Sequence, residues 1–282
     1  MRAASRIANN GRRPPISACI ITNNEADRIR DCIESLGFCD DILVVDSLSR
    51  DGTQDCARDL GARVVEHLWM GHIAQKEFAT RAARHEWVLS LDADERVSAA
   101  LREEILACQD DGFHGAAGYD MPRLSQYQGK WIHHGAWYPN RQLRLFDRRQ
   151  GRWGGINPHD RVLLSGRTRR LRSDLLHIPY RSRREQLETI DQYTSIAAEE
   201  LLRRGCSGVL LRLVFNPAFR VVRSLVLKRG VLDGRRGVTL AVMDARYAYL
   251  KYRKLLARRN RATAPEAVIG ELGCVHADLE HL

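Results

Sequence analysis

Trp87-Val88-Leu89-Ser90-Leu91-Asp92-Ala93-Asp94-Glu95 is the stretch whose reading decides the architecture. A short apolar run of this kind is a strand, and this one passes directly into two carboxylates flanking one small residue. Paired carboxylates at a strand end can grip a divalent cation that bridges a diphosphate, because Mg²⁺ and Mn²⁺ prefer hard oxygen ligands. Asp-x-Asp alone is a weak signal, since most instances are solvated loop carboxylates. It gains weight here from its place in a sheet whose earlier strands also end in acids.

Those earlier strands lie upstream. Ile16–Thr22 reads as the first strand; Asn24 then stands as a helix N-cap, with Ile29, Cys32, Ile33 and Leu36 on one helical face. Ile42-Leu43-Val44-Val45 is a second strand ending at Asp46, followed by the polar loop Ser47–Gly52, a short helix to Gly61, a third strand at Val64-Val65 and a helix over Ile73–Arg84. Strands alternating with helices predict an α/β fold with a parallel sheet. Ligands in such sheets bind beyond the carboxyl ends of the strands, so Glu25, Asp46, Asp51, Asp92 and Asp94 are expected to face one crevice. Downstream, Gln142–Phe146, Arg161–Leu164 and Leu175–Ile178 read as strands, and from Arg184 to about Arg259 the pattern is helical. The expected organisation is a basic flexible tail (1–14), a catalytic domain (15–183), a helical extension (184–260) and a second tail (261–282).

The 282 residues carry a net charge of +10, which points to an anionic partner without choosing among nucleic acid, anionic lipid and phosphorylated small molecules. Seven cysteines, an odd number with no Cys-x-x-Cys pair and no apolar leader before them, predict a reducing, cytoplasmic location. No recognition-helix, zinc or aromatic-basic RNA motif is present, so a nucleic-acid-binding protein is the weaker reading of the charge. A nucleotidyltransferase would open on a Gly-rich phosphate loop, and Ile20–Glu25 contains no Gly.

The segments Ile20-Ile21-Thr22-Asn23-Asn24-Glu25, Val44-Val45-Asp46-Ser47-Leu48-Ser49-Arg50-Asp51-Gly52-Thr53 and Trp87 to Arg96 resemble family 2 glycosyltransferases. With Gln75-Lys76, Trp137-Tyr138-Pro139, Gln142 to Phe146 and Lys228-Arg229-Gly230-Val231-Leu232-Asp233-Gly234, the chain is similar, more narrowly, to the bacterial lipopolysaccharide-core β-1,4-glucosyltransferase group over roughly residues 15–256. The resemblance implies a GT-A fold with a C-terminal helical extension. It also implies an inverting transfer of a hexose, glucose in that group, from a UDP-sugar to a lipopolysaccharide-core or other lipid-linked acceptor, with Mn²⁺ or Mg²⁺ as cofactor. A polyprenyl-phosphate sugar transferase shares this donor chemistry and remains the alternative. Carried over by position, Thr22, Asn24, Glu25, Asp46, Ser47, Lys76, Asp92 and Ala93 bind the donor, and Asp94 holds the metal. Leu48 departs from the family, which has Gly there; a Cβ at that position opposes a positive φ.

An inverting transferase needs a base for the acceptor hydroxyl, and Asp160 in His159-Asp160-Arg161 is the candidate, where the family shows His-Glu-Arg. His159 and His177 are candidates for completing the metal's coordination. Gln142 and Arg144, two apart on a strand, share a face and could reach a phosphate or the acceptor; Trp131, His133, His134, Trp137 and Tyr138 form an aromatic cluster suited to stacking on a sugar or filling a core. Val209–Leu227 is apolar but interrupted by Arg212, Arg220 and Arg223, and Pro217 is expected to break its helix. A helix lying on the membrane is therefore expected, with Lys228, Arg229, Arg235, Arg236, Lys251, Arg253 and Lys254 meeting an anionic surface at the cytoplasmic face of the inner membrane.

Overall fold

The structure is a computed structural model that describes residues 13–156 and 159–263. Most of the N-terminal tail, Asn157-Pro158 and the tail after Thr263 lie outside the described residues. In chain order β1 (Ile16–Thr22), α1 (Ile29–Glu34), β2 (Asp41–Asp46), α2 (Thr53–Asp59), β3 (Arg63–Glu66), α3 (His72–Ala82) and β4 (Trp87–Asp92) build the parallel half of a sheet. Then come β5 (Glu95–Val97), α4 (Ala99–Asp110), β6 (Gly118–Tyr127), β7 (Lys130–Trp131), β8 (Asn140–Asp147), β9 (Gly151–Ile156), β10 (His159–Leu164), β11 (Thr168–Arg170) and β12 (Leu175–His177). The chain closes with α5 (Arg183–Arg203), α6 (Val209–Val222) and α7 (Gly234–Thr263).

Strand order is β3-β2-β1-β4-β8-β6-β12-β5. The pairs among β1–β4 are parallel, whereas β8 runs antiparallel to β4 and β6, and β5 antiparallel to β12. The sheet is mixed, which the sequence reading of a parallel sheet covers only for its first half. β9 and β10 form a separate antiparallel hairpin.

Strand β1 is buried along its whole length because both faces are covered. Ile16, Ala18 and Ile20 join the cluster under α1, α2 and α4, while Cys19 and Ile21 join a second cluster with Val88, Phe146 and Trp153 under α3 and the hairpin. Register then aligns the strand ends: Thr22 lies opposite Asp46, and Ile21 opposite Asp92. The polar residues at these ends are thereby brought to one rim of the sheet.

Two local expectations need correction. Asn24 is not an N-cap: it adopts φ 55°, its Oδ1 accepts the Arg50 N–H across the rim, and α1 begins only after Arg28. Pro217 does not end its helix. α6 runs through it to Val222 and continues as a π-helical turn over Arg223–Leu227. Proline removes one N–H from the ladder, and packing of α6 on α7 through Val209, Leu213, Tyr252 and Leu255, with Asn216 donating to the Tyr252 hydroxyl, outweighs that loss. Leu48 takes φ 60° with its side chain out in solvent, so the loop keeps its left-handed turn in spite of the Cβ.

The helices are fastened to the sheet domain at the Lys228–Gly234 segment. Asp233 accepts the backbone N–H groups of His133 and His134, and Gly135 N–H donates to Lys228 O. A Cβ on Gly237 would stand 1.8 Å from the Gly230 carbonyl oxygen and one on Gly230 2.6 Å from Ser224 O, so only glycine permits this approach. At the start of α5, Ser182 accepts the Glu185 N–H and the Glu185 carboxylate reaches back to the Arg181 N–H, a reciprocal cap.

Candidate active site

The rim beyond β1, β2 and β4 continues into β5, β6, β8 and β12, and the charges of these elements meet in one buried network. Lys76 Nζ on α3 lies 2.9 Å from Asp92 Oδ1 and 2.8 Å from Asp160 Oδ2. Arg144 on β8 lies 2.7 Å from Asp92 Oδ2 and 2.6 Å from Glu95 Oε1, and Arg123 on β6 adds a 3.0 Å contact to Glu95. Glu95 also accepts the Asp92 N–H, which ties the turn between β4 and β5. Lys76 further stands 4.9 Å over the Trp153 ring. Lys76, Glu95 and Arg144 are each at most 3% exposed, so each charge depends on its partners. Burial would raise the Asp92 pKa, yet Lys76 and then Arg144 hold it far below the usual carboxylate range. Burial likewise opposes the charge on Arg144, and Glu95 and Asp92 push its pKa above the ordinary value.

Asp94, one residue beyond the buried Ala93, takes a different partner. His177 Nε2 on β12 stands 3.3 Å from its Oδ2, and the Ser125 hydroxyl on β6 holds His177 Nδ1 at 2.9 Å. Burial pushes the Asp94 pKa up, but His177, through charge and hydrogen bond, brings it below the usual value. An imidazole anchored at one nitrogen beside a carboxylate at the other is the arrangement of a metal-ligating histidine with its outer hydrogen bond. One carboxylate oxygen and one imidazole suit Mn²⁺ or Mg²⁺ when substrate phosphates supply further oxygens. Among the described residues no three His, Cys, Asp or Glu groups are placed to hold a metal, so protein ligands alone do not complete a shell. The His159 side chain lies outside what is described.

The remaining candidates line the adjoining rim. Asp46 is fully buried and accepts from Ser49 N–H, Ser49 Oγ and Gln54 Nε2. Ser47 Oγ accepts from Gln75 Nε2, and its N–H donates to Thr22 O. The Thr22 hydroxyl is buried without a partner among the described residues. Glu25 is held by Arg28 at 3.3 Å and Arg181 at 2.7 Å; burial raises its pKa against both guanidinium groups. Asp51 is spent on the loop itself, accepting from Thr53 and the Ala26 N–H.

Of the strand pair Gln142 and Arg144, only Arg144 reaches the acidic network; Gln142 donates to Asn140 Oδ1 and lines a hollow of about 380 Å³ that also contains Asp160. The aromatic cluster divides: Trp137 packs against Tyr127 and Tyr180, whereas His133 meets Tyr138. Glu95 could have been suspected from its place after the Asp-x-Asp. Arg123, Ser125 and Arg181 carry no local signal, because their relevance comes from strand pairing and from a contact 156 residues distant in sequence. Tyr193 of α5 has its hydroxyl 3.5 Å from His72 Nε2, and its pKa is pushed up to about 12 by burial and then by Asp92, Asp94 and Asp160.

Comparison with known proteins agrees with this architecture. The protein is 31% identical over 262 residues to the lipopolysaccharide core biosynthesis glycosyltransferase LpsC of Rhizobium meliloti (strain 1021), covering 89% of this chain and 95% of the relative. It is 28% identical over 258 residues to an uncharacterized glycosyltransferase of Rickettsia felis, covering 85% and 89%. The mannosyltransferase PcManGT from Pyrobaculum calidifontis, solved in complex with GDP-Man and Mn²⁺, superposes with a TM-score of 0.54 at 16% identity over 88% of each chain, a likeness of fold. Residues 17–169 match the glycosyl transferase family 2 profile, and with the coverage of the Rhizobium relative this places the chain in that family, with a GT-A fold and C-terminal helices.

Proposed function

We propose that the protein transfers a hexose, glucose by preference, from a UDP-sugar to a lipopolysaccharide-core or other lipid-linked acceptor with inversion, using Mn²⁺ or Mg²⁺. The observation that carries the donor side is the pair Asp94 and His177, oriented by Ser125 at the strand-end rim. Asp94 and His177 would hold the cation, with His159 as a further candidate; once bound, it supplies positive charge to the departing diphosphate. Thr22, Asn24, Glu25, Asp46 and Ser47 form the nucleoside end of the rim, and Lys76, Asp92 and Ala93 the sugar-diphosphate end.

Asp160 is the proposed base. Its Oδ2 is fixed by Lys76, and its second oxygen takes the proton of the acceptor hydroxyl as the acceptor oxygen bonds the anomeric carbon and the bond from that carbon to UDP breaks. The relative in lipopolysaccharide core biosynthesis supports this acceptor class. We read residues 15–183 as the catalytic domain and 184–260 as an extension that rests on the cytoplasmic face of the inner membrane. No helix among the described residues is long and apolar enough to cross a membrane. Leu211, Val214, Phe215, Phe219, Val222 and Val226 nevertheless stand more than half exposed along α6 and the turn after it, and Arg212, Arg223 and Arg229 are exposed beside them. An apolar stripe rimmed by cations fits an anionic bilayer surface.

Titration calorimetry tests the donor assignment. UDP is expected to bind tightly only with Mn²⁺ present, and Asp94→Asn is expected to weaken UDP binding by at least tenfold and to abolish the Mn²⁺ dependence. No UDP binding by the parent protein removes the donor reading; unchanged Mn²⁺ dependence in the variant removes Asp94 from the metal.

A further inference from the structure

Behind His177 the sheet and the helical extension enclose a pocket of about 230 Å³. Arg123, Ser125 and His177 line it from the sheet, and Asp244 and Tyr247 of α7 line it from the helices. Two of its polar groups lack the partners that buried groups ordinarily have. Among the described residues the Tyr247 hydroxyl and the Arg123 Nε are buried with no hydrogen-bond partner. Asp244 accepts a hydrogen bond from the Trp137 side chain but forms no salt bridge; burial raises its pKa in spite of Arg220, Arg223 and Lys228 nearby. Trp137 and Tyr180, whose ring centroids lie 6.2 Å apart, give the same pocket flat apolar walls. A phenol, a guanidinium edge and a carboxylate between aromatic faces match a pyranose, which offers hydroxyls that both donate and accept and an apolar ring face. The pocket adjoins the proposed cation site, because His177, which lines it, stands 3.3 Å from Asp94.

We propose that this pocket is a saccharide subsite in which Asp244 and Tyr247 of the helical extension anchor sugar hydroxyls, so that the extension forms part of the substrate site. The proposal rests on the glycosyltransferase reading and adds residues of α7 to it. Asp244 accepts from ring hydroxyls, Tyr247 and Arg123 donate to ring oxygens, and the bound sugar supplies the partners that the Tyr247 hydroxyl and Arg123 Nε lack. The sugar is either the donor hexose or the acceptor residue, since both are pyranoses.

The test uses the full chain with Mn²⁺ and three kinds of probe: UDP, a panel of UDP-hexoses, and a lipid-free core oligosaccharide. Asp244→Asn is expected to bind UDP within about twofold of the parent while losing about 10- to 100-fold in affinity for one saccharide probe, the range for a hydrogen bond to a charged group. Tyr247→Phe is expected to lose about 3- to 10-fold for the same probe, with an unchanged melting temperature because the deleted hydroxyl has no partner among the described residues. Loss confined to UDP-hexoses identifies the donor sugar, and loss confined to the oligosaccharide identifies the acceptor. Unchanged affinity for every saccharide, or equal losses for UDP and UDP-hexose, overturns the subsite. If Asp244→Asn does not fold, Tyr247→Phe decides. Failure of the parent to bind UDP strikes the donor reading instead, and the oligosaccharide arm then decides this proposal alone.

Discussion

The rim of the sheet buries charge, while the helical extension exposes apolar surface; each inverts the ordinary distribution of residues. At the rim, three cations (Lys76, Arg123 and Arg144) and three carboxylates (Asp92, Glu95 and Asp160) neutralise one another at 2.6–3.0 Å. Along α6 the large side chains point outward, with Phe215 64% exposed, while only small clusters such as Ala198, Val209, Tyr252 and Leu255 pack inside. A buried ion network fixes geometry at some cost in stability, whereas an exposed apolar stripe costs solubility unless something covers it. Under the proposed function the two regions answer to different partners, one a charged small molecule and the other an extended surface. Each can be broken separately.

Arg144→Met strikes the rim hardest. Glu95 loses its guanidinium partner while fully buried and Asp92 while half-buried, and a cost of about 3–5 kcal/mol in urea unfolding is expected, the scale for breaking a buried pair. The same variant changes the response to acid. Because the Asp92 pKa is depressed in the fold, its stabilisation is present above the ordinary value of 3.8 and is lost as pH falls through the folded value. Stability of the parent should therefore decline more steeply below pH 3.8 than that of Arg144→Met.

Asp160→Asn sharpens the chemical side of the comparison. Turnover is expected to fall about 100-fold, equivalent to about 2.7 kcal/mol, while calorimetry finds UDP and Mn²⁺ binding nearly intact. Full activity in this variant would leave Asp160 as a partner of Lys76 only.

Phe215→Glu addresses the other region and should leave stability within about 0.5 kcal/mol, since its side chain is largely in solvent. Flotation with anionic liposomes is expected to drop about tenfold, and salt should lower it further in the parent. Equal recovery of the parent with neutral and anionic vesicles would remove the electrostatic part of the docking.

Much of the first half of the fold is legible because its strands are short apolar runs separated by helical periodicity, and β1 coincides with the expected Ile16–Thr22. The second half is not legible in the same way. β6 is ten residues long, yet its buried positions do not alternate and Pro122 interrupts it, which hides a strand from pattern reading. α4 carries a Ser98 cap accepting from Leu101 N–H, but only Leu101, Ile105 and Gln109 are buried along it, a narrow stripe that propensity alone does not single out.

For the site, the sequence alone determined that carboxylates follow strands and that Asp92 and Asp94 share one strand end, because both are consequences of local order along the chain. Only the tertiary structure decided that these two neighbours part company. Asp92 turns to Lys76 and Arg144, and Asp94 to His177. It also decided that α7 places Asp244 and Tyr247 in the pocket that His177 lines, 67 residues or more beyond it in sequence. Direction of a side chain and proximity of distant segments are set by strand register and helix docking, through Gly135, Gly230 and Gly237, and no local pattern encodes a contact that exists only once those surfaces have met.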